Sequence, residues 1–508
     1  MSTRLGARLG LGVLGVLLLL ALWQLVGVTD LLGRSIPPPT EVAGTLVDRA
    51  DLLGRAASAT GLRALVGGLI GLAIGLAVAA ITAFLPSTTS VVVRTAVLVN
   101  AIPIVAIGPV LMSLPTRPVI PEVFAALSVL FSTVVVASDG FRSAASSSRD
   151  VFRLHGASAG VRFLRLQLPS AAPALADALR LAVPAALLGA VLGEWFGADR
   201  GLGVVMVSSM RNIQYAQLWA AAVVCVVISL AGYAIATALE RLASRRFGRE
   251  GVAGAEAPRM RRATGVLLGI AVPVALIVLW QLWISLGQVP LIVAPSPLAV
   301  LGALAAGPGD YLAAAGITLA IAAGGVAIGG LIGLLLAVVV SLVPWLSAML
   351  SPLSLLIPTV PIVVFIPIVG SVFGYGPVTV VVSCVLMAFF PVYVLALSGL
   401  RARPAGSDDV FRLHGAGRLT VLARLALPAS VPSLLLALRL AAANAILIGI
   451  SAEWLMGQGG LGRLLSERRV ALDTPGSWAA VAVAVALSVA AYAGASRLER
   501  SAARRWRS

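Results

Sequence analysis

The sequence has no lysine, because all 37 of its basic residues are arginine. A chain without lysine lacks both a Walker A phosphate-binding loop and a Schiff-base lysine, so it carries no standard ATP-binding motif of its own. Cysteine and histidine are also scarce, with two of each, and neither cysteine belongs to a C-x-x-C pair. Disulfide frameworks and metal sites need clusters of such residues, so the sequence predicts neither.

Charge is scarce as well. Only 11% of the 508 residues are charged, 59% are hydrophobic, and the mean hydropathy is +1.03. An ordinary soluble domain carries about 25% charged residues. This composition excludes a soluble enzyme, and the excess of apolar residues excludes a disordered chain. A polytopic membrane protein remains, and its net charge of +17 has to be explained within that class.

Apolar windows of about 20 residues, each long enough to span a bilayer as a helix, occur twelve times. Six lie in the first half, at 9–28, 61–85, 91–114, 119–137, 174–196 and 216–239. Six lie in the second half, at 264–286, 315–341, 346–370, 377–397, 433–455 and 477–495. We therefore predict an all-α membrane protein with about twelve transmembrane helices.

An internal repeat organises these helices. Residues 150–203 align without a gap to residues 409–462, and 26 of the 54 positions are identical. Because each unit has an even number of helices, both units should have the same orientation in the membrane, as in a parallel repeat. The predicted division is a first unit at 1–242, a linker at 243–262 and a second unit at 263–508.

The arginines predict the orientation. With both termini on the cytoplasmic side, 27 arginines fall inside and 10 fall outside. Short cytoplasmic loops of membrane proteins hold an excess of basic residues. We therefore predict a multi-pass protein with cytoplasmic N- and C-termini, and we interpret the net charge as an orientation signal rather than as affinity for nucleic acid.

Two polar segments, residues 138–173 and 398–432, are much longer than ordinary loops between membrane helices. In the first copy, a short helix should end at Gly156, since glycine can adopt the left-handed backbone of a turn. A second amphipathic helix should follow and stop at Pro169. The sequence thus predicts, at two equivalent positions, a helix–turn–helix at the membrane surface with one face free to dock.

These segments resemble the EAA loop in the permease subunits of bacterial ABC importers, whose pattern is Glu-Ala-Ala, three residues, Gly, nine residues, Ile, one residue, Leu-Pro. Asp150, Gly156, Leu166, Leu168 and Pro169 match this pattern. The second copy matches it at the equivalent positions, which are Asp409, Gly415, Leu425, Leu427 and Pro428. Both copies depart from the pattern by having Asp for Glu and Val-Phe for Ala-Ala.

The resemblance implies that each loop fits a groove on a separate ATPase subunit and transmits nucleotide-driven closure to the membrane helices. In the first copy the coupling residues would be Asp150, Val151, Phe152, Arg153, Gly156, Leu168 and Pro169. In the second copy they would be Asp409, Val410, Phe411, Arg412, Gly415, Leu427 and Pro428. Arg153 and Arg412 fit equally well as anchors to anionic lipid headgroups.

Further motifs narrow the resemblance. Trp-Gln-Leu at 23–25 and 280–282, Pro-Ser-Pro at 295–297, and Glu-Trp followed by Gly-Leu-Gly in both halves are similar to nitrate-, sulfonate- and taurine-type permeases. Permeases for thiamine-precursor pyrimidines and riboflavin are similar too. The resemblance implies the type I ABC importer fold, with two permease units fused in one chain of a bacterial inner membrane. It also implies an ATPase dimer that binds ATP and Mg²⁺, a solute-binding protein outside, contact with membrane lipid, and no cofactor, catalytic role or nucleic-acid partner for this chain.

Two other functions compete with that of an importer permease. A secondary transporter with two parallel six-helix halves is the main alternative, but residues 86–90 lack the basic loop of the major facilitator class and few acidic residues lie within helices. A membrane enzyme would need a clustered catalytic set. His155 and His414 instead occupy equivalent points of the repeat, 259 residues apart, which predicts two equal surfaces rather than one active site.

Four polar residues in apolar surroundings are candidates for the translocation path or its gate. Glu194 and Glu453 would gate the path or meet a receptor, or they would be structural residues at the membrane interface. Asn100 and Asn444 would make hydrogen bonds between helices or would line the substrate path. The sequence leaves these alternatives open.

Overall fold

The computed structural model describes residues 2–31, 33–85, 88–100, 108, 111–112, 119–247, 262–343, 345–350, 364–403 and 406–505. Within these ranges the chain is almost entirely helical and contains no β-strand. The predicted all-α class is therefore confirmed.

The helices of the first half are α1 (Ser2–Val28), α2 (Pro39–Asp48), α3 (Ala50–Phe84), α4 (Thr89–Asn100), α5 (Ile120–Arg142), α6 (Ser146–Leu154), α7 (Ala159–Glu194), α8 (Leu202–Arg211) and α9 (Tyr215–Phe247). The helices of the second half are α10 (Arg262–Gly287), α11 (Pro297–Ala306), α12 (Pro308–Leu342), α13 (Phe365–Phe373), α14 (Pro377–Arg401), α15 (Ser407–Leu413), α16 (Arg418–Met456), α17 (Gly460–Val470) and α18 (Thr474–Arg505).

Nine of the described helices are long and apolar enough to cross a membrane. Their spans are Gly10–Val28, Ala50–Phe84, Ile120–Arg142, Ala159–Glu194, Tyr215–Leu242, Pro308–Leu342, Pro377–Arg401, Arg418–Met456 and Thr474–Glu499. Each coincides with one of the twelve predicted windows. The window at 264–286 falls on α10, whereas those at 91–114 and 346–370 run through residues outside the described ranges.

The repeat is visible in the packing of α3 and α12. Both helices have 35 residues, and each buries a residue at every third or fourth position along one face. Glycines at 67, 71 and 75 in α3 and at 325, 329 and 333 in α12 belong to these buried faces. A Cβ at Gly71 would overlap the backbone of Ala126 in α5, and a Cβ at Gly329 would overlap that of Val385 in α14. The spacing therefore serves close helix packing, as small residues do in membranes.

The two halves meet through aromatic and methionine side chains. The ring of Phe196 stacks on Trp454 of the second half at a centroid distance of 4.3 Å. Nearby, α8 packs against α13, and Met210 shares a core cluster with Ile366 and Met456. The halves are thus joined close to the ends of α7 and α16.

The predicted stop at Pro169 is wrong. Helix α7 runs without a break from Ala159 to Glu194, and Pro169 lies inside it. The structure accommodates the proline by a π-helical turn at Phe163–Gln167, where the Leu168 N–H donates to the Phe163 carbonyl. This wider turn removes the steric conflict that a proline imposes on a regular α-helix. The second half has the equivalent π-turn at Leu422–Ala426, so the surface segment and the membrane helix form one rod in both halves.

Candidate functional site

Each polar loop contains the predicted helix break at its glycine. Gly156 has a φ of +66° and Gly415 a φ of +68°. In the first copy the Ala157 N–H donates to the Phe152 carbonyl at 3.0 Å, and the Gly156 N–H donates to the Arg153 carbonyl at 3.0 Å. This pair of bonds is the Schellman motif, which places a left-handed residue just after a helix. The second copy has the equivalent bond from Ala416 to Phe411, at 3.0 Å.

Both loops leave the same apolar side chains uncovered. Leu154 and Leu413 are each 86% exposed, and Val151 and Val410 are 52% and 53% exposed. Apolar side chains that are exposed next to one another on a helix are typical of an interaction surface. The two loops therefore present two equivalent surfaces of the same chemistry.

The polar residues of the loops complete the short helices. Asp150 pairs with Arg153 at 3.7 Å, and both side chains are largely exposed, so this ion pair contributes little to stability. His155 Nδ1 lies 2.9 Å from the Val151 carbonyl, and His414 Nδ1 lies 2.8 Å from the Val410 carbonyl. Each of these carbonyls also accepts the backbone N–H of the same histidine, so the two rings add a second bond in the last turn. The side chain of Arg412 lies outside the described residues.

The loops contact the neighbouring membrane helices through side chains of their π-turns. The Phe163 ring lies 4.9 Å from Phe84, at the end of α3, and 5.2 Å from Phe141 of α5. In the second half Leu422 is buried in a cluster with Tyr393 and Leu400 of α14. A force on either loop would therefore reach the neighbouring membrane helices as well as its own.

At the opposite end of α7, Glu194 forms a buried network that we call the first clamp (Thr60, Glu194, Gly201, Leu202 and Gly203). The Thr60 hydroxyl donates to Glu194 Oε1 at 2.7 Å, and the Gly203 N–H donates to Oε2 at 2.8 Å. The Leu202 N–H donates to the Thr60 oxygen at 2.8 Å. Gly201 has a φ of +134°, and a Cβ there would overlap the carboxylate. The Gly-Leu-Gly motif thus folds its backbone onto the glutamate.

The second half forms an equivalent network, the second clamp (Thr318, Glu453, Gly460, Leu461 and Gly462). The Thr318 hydroxyl and the Gly462 N–H donate to Glu453 Oε2 at 2.9 and 3.0 Å. The Leu461 N–H donates to the Thr318 oxygen at 2.9 Å. Gly460 has a φ of +87°, and a Cβ there would also overlap the carboxylate.

An arginine distinguishes the two clamps. Arg63 Nη1 lies 3.3 Å from Glu194 Oε1, and its Nε lies 3.9 Å from Glu122. Arg63 also donates to the Arg200 carbonyl. The equivalent position in α12 is Ile321, and Glu453 Oε1 has no hydrogen-bond partner among the described residues.

These contacts bear on the four predicted path residues. Glu194 and Glu453 are 2% and 1% exposed, so burial and hydrogen bonding favour the structural alternative over direct contact with a solute. Asn444 lies half-buried in α16. Asn100 is the last residue of α4, and its side chain lies outside the described residues. Within the described ranges no three His, Cys, Asp or Glu side chains are grouped so that they could hold a metal ion.

Sequence reasoning missed Thr60, Thr318, Arg63 and Glu122. The two threonines were detectable in principle, because they occupy equivalent positions 258 residues apart in otherwise apolar helices. Nothing in the sequence connects Arg63 with Glu194, which lies 131 residues further along the chain.

Comparison with known proteins gives a family match in each half. The model of the family described as "Binding-protein-dependent transport system inner membrane component" matches residues 71–249 and residues 329–507. This double match agrees with the internal repeat. The two matched segments together cover well over half of the chain.

Each individual relative aligns with a segment of about the length of one repeat unit. A probable ABC transporter permease protein of Haemophilus influenzae is 32% identical over 223 residues, which is 44% of this chain and 90% of the relative. The formylaminopyrimidine transport permease protein ThiX of Halalkalibacterium halodurans is 30% identical over 182 residues, 36% of this chain and 73% of the relative. The putative aliphatic sulfonates transport permease protein SsuC of Bacillus subtilis is 27% identical over 211 residues, 41% of this chain and 76% of the relative.

Proposed function

The chain belongs to the family of binding-protein-dependent transport system inner membrane components, and we propose that it forms the whole translocation path of an ATP-driven importer. The family match confirms the resemblance that the two loops predicted, and it makes the chain an ABC transporter permease. The observation that carries the finer proposal is the duplicated loop, with its two equally exposed apolar surfaces. An ATPase dimer has two equivalent subunits, and this single chain offers one surface to each.

The chemistry of the two surfaces supports this partner. Leu154 and Leu413 are almost fully uncovered by the chain itself, and Val151 and Val410 are half uncovered. Each surface is flanked by exposed charged groups such as Asp150 and Asp409. An apolar centre with a polar rim is typical of a protein interface. ATP and Mg²⁺ would bind to the partner ATPases.

The continuous helices α7 and α16 supply a mechanical link. Helix α7 has 36 residues and is therefore about 54 Å long at 1.5 Å per residue. It connects the loop at one end to the first clamp at the other. We infer that ATP-driven approach of the two ATPases draws the loops together, tilts these rods, and opens the path between the halves at the clamp end.

The orientation and domain division complete the proposal. The loop end faces the cytoplasm together with both termini, and the clamp end faces the outside, where a solute-binding protein delivers the solute. The units are residues 1–242 and 263–508, joined by the linker at 243–262. The arginine distribution of the sequence supports this orientation.

For the solute we propose a small organic anion such as a sulfonate, or nitrate, or a heterocycle of the thiamine-precursor or riboflavin kind. The support comes from the relatives, whose names assign them formylaminopyrimidine and aliphatic sulfonates. Identification of the ligand carried by the co-purified binding protein would decide among these classes.

The coupling proposal is tested by the double variant Gly156→Val and Gly415→Val. A β-branched residue is strongly disfavoured at these left-handed positions, so both turns should rearrange and the apolar surfaces should move. A Cβ at either glycine meets no atom within 4 Å, so the membrane part should still fold. We expect solute uptake into proteoliposomes to fall at least about tenfold while the ATPases still hydrolyse ATP.

The matched control is Gly160→Val with Gly417→Val. These glycines lie in the same loops, also face open space and lack a positive φ, so uptake should stay close to that of the unmodified chain. Normal uptake by the Gly156→Val and Gly415→Val variant would contradict the coupling role. Equal loss in both variants would show that the loops tolerate no change in bulk, and the glycine turns would then have no special role.

A further inference from the structure

Four residues other than glycine adopt a left-handed backbone among the described residues. They are Asp30 (φ 49°), Ile213 (φ 60°), Gln288 (φ 46°) and Leu472 (φ 58°). They form two equivalent pairs, because Asp30 and Gln288 are 258 positions apart and Ile213 and Leu472 are 259 apart. The first pair is polar. The second pair is large and apolar, and side chains of that kind, above all β-branched ones, rarely adopt this conformation.

The turns at Ile213 and Leu472 have a geometry that glycine normally serves. The Ile213 N–H donates to the Met210 carbonyl at 3.2 Å, and the Gln214 N–H donates to the Ser209 carbonyl at 2.8 Å. The corresponding bonds from Leu472 and Asp473 measure 3.0 and 2.9 Å. These are Schellman motifs at the ends of α8 and α17, in which the left-handed position is usually glycine. The backbone hydrogen bonds therefore do not explain why a bulky residue stands there.

Packing within the chain does not explain the two residues either. Ile213 is 71% exposed and Leu472 is 75% exposed, so neither side chain offsets its backbone strain by burial. Strained residues of this kind concentrate at functional contacts. The most direct reason to keep an exposed apolar side chain at a strained position is a contact with something outside the chain.

The surroundings indicate which kind of partner. Ile213 is flanked by Asn212 and Gln214, both exposed. Near Leu472, Arg468 lies 2.9 Å from Asp310 and 3.3 Å from Asp473. Such polar and charged groups belong in water rather than in hydrocarbon, which favours a soluble protein over lipid acyl chains.

The position of the first turn indicates the same partner. Met210, three residues before Ile213, packs in the cluster that joins the two halves, with Ile366 and Met456. Ile213 therefore lies near the junction of the two halves, at the clamp end. A protein that delivers solute between the halves would have to cover this region.

We propose that Ile213 and Leu472 are paired apolar contacts for the solute-binding protein, one on each half of the permease. This inference rests on the proposed function, which places the clamp end outside the cell. Periplasmic binding proteins close two domains about a hinge, and two separate contacts would allow the permease to hold one domain at each turn.

The test is the double variant Ile213→Gly and Leu472→Gly, reconstituted in lipid nanodiscs with its ATPase. Glycine removes both side chains and relaxes both turns, so the apparent Tm should stay the same or rise. The probe is the purified binding protein of the same transport system, identified beforehand by its stimulation of ATP hydrolysis by the unmodified complex. We expect its half-maximal concentration to rise at least about tenfold, as loss of buried apolar contacts predicts, with the basal rate of hydrolysis unchanged.

The matched control is Asp30→Gly with Gln288→Gly, which relaxes the other two left-handed turns and should leave the half-maximal concentration unchanged. An unchanged value in the Ile213→Gly and Leu472→Gly variant would overturn the inference and leave the proposed function intact. A lower Tm with unchanged stimulation would also overturn it, since the side chains would then contact lipid. If no binding protein stimulates even the unmodified complex, the proposed function fails and the inference fails with it.

Discussion

The first and second clamps use the same three hydrogen-bond donors, but among the described residues only the first has a guanidinium beside its carboxylate. Thr60 and Thr318 occupy equivalent places, and so do the backbone N–H groups of Gly203 and Gly462. Arg63 adds an ion pair to the first clamp. The three hydrogen bonds found in both clamps are therefore the part that this turn requires, and the ion pair of Arg63 is an addition in the first clamp.

The common part is set by backbone geometry. A glutamate at the end of the membrane helix accepts bonds from the Gly-Leu-Gly turn and from a threonine of a neighbouring helix, and these bonds satisfy polar groups that would otherwise be buried without partners. The additional part is local. Arg63 binds Glu194, lies near Glu122 and donates to the Arg200 carbonyl. It therefore contacts three other segments of the first half.

The largest expected effect concerns the hydrogen bonds that both clamps share. The single variants Gly201→Ala and Gly460→Ala test them. Each added methyl group would overlap a buried carboxylate, and each residue has a positive φ. We expect each variant to lose about 3 kcal/mol or more of stability, measured as the apparent Tm in nanodiscs with tryptophan fluorescence.

Gly374→Ala is the control for those two variants, because Gly374 has a φ of +74° but no atom within 4 Å of its added Cβ. It should lose less, about 1–3 kcal/mol, because an alanine there meets backbone strain alone. If all three variants lost the same stability, the overlap with the carboxylates would be irrelevant, and the clamps would not be what the glycines protect.

A smaller effect should distinguish the two glutamates, in the variants Glu194→Gln and Glu453→Gln. At Glu194 both carboxylate oxygens accept hydrogen bonds, so an amide NH₂ would face a donor at either position and the arginine would lose its anionic partner. At Glu453 both bonds end on Oε2, so the NH₂ can take the place of Oε1 and keep them. We expect about 2 kcal/mol of destabilisation at Glu194 and less than about 0.5 kcal/mol at Glu453.

The same Tm measurement checks this pair, and each glutamate is the matched control for the other. Equal losses at both sites would contradict the assignment of the hydrogen bonds. A larger loss at Glu453 would mean that Oε1 has a partner in the membrane-embedded protein.

The clamps also show which features of the site can be predicted from the sequence. The repeat, the glycine turns at Gly156 and Gly415, and the Glu-Trp and Gly-Leu-Gly motifs can be read from the sequence, because each is a local pattern that occurs twice. Thr60 and Thr318 also occur at equivalent positions, but neither threonine indicates that its partner lies 134 or 135 residues away. The stop at Pro169 was wrong because a membrane helix can continue through a proline when its backbone adjusts, as it does at the π-turn before Pro169 and at the internal Pro173 and Pro184, and the residue alone does not reveal that.

The smallest effect tests the additional part directly, through Arg63→Ile. This substitution gives the first half the residue that the second half has at the equivalent position, Ile321. Because Glu194 would keep its bonds from Thr60 and Gly203, and because no guanidinium of the described residues pairs with Glu453, we expect a loss of about 1 kcal/mol. Arg63→Ile combined with Glu194→Gln should lose less than the sum of the single losses, since both remove the same ion pair. Removal of one partner from a buried ion pair can cost as much as about 3–5 kcal/mol. A loss of that size would mean that the two halves are stabilised differently. The first clamp would then depend on its arginine, and the second on hydrogen bonds.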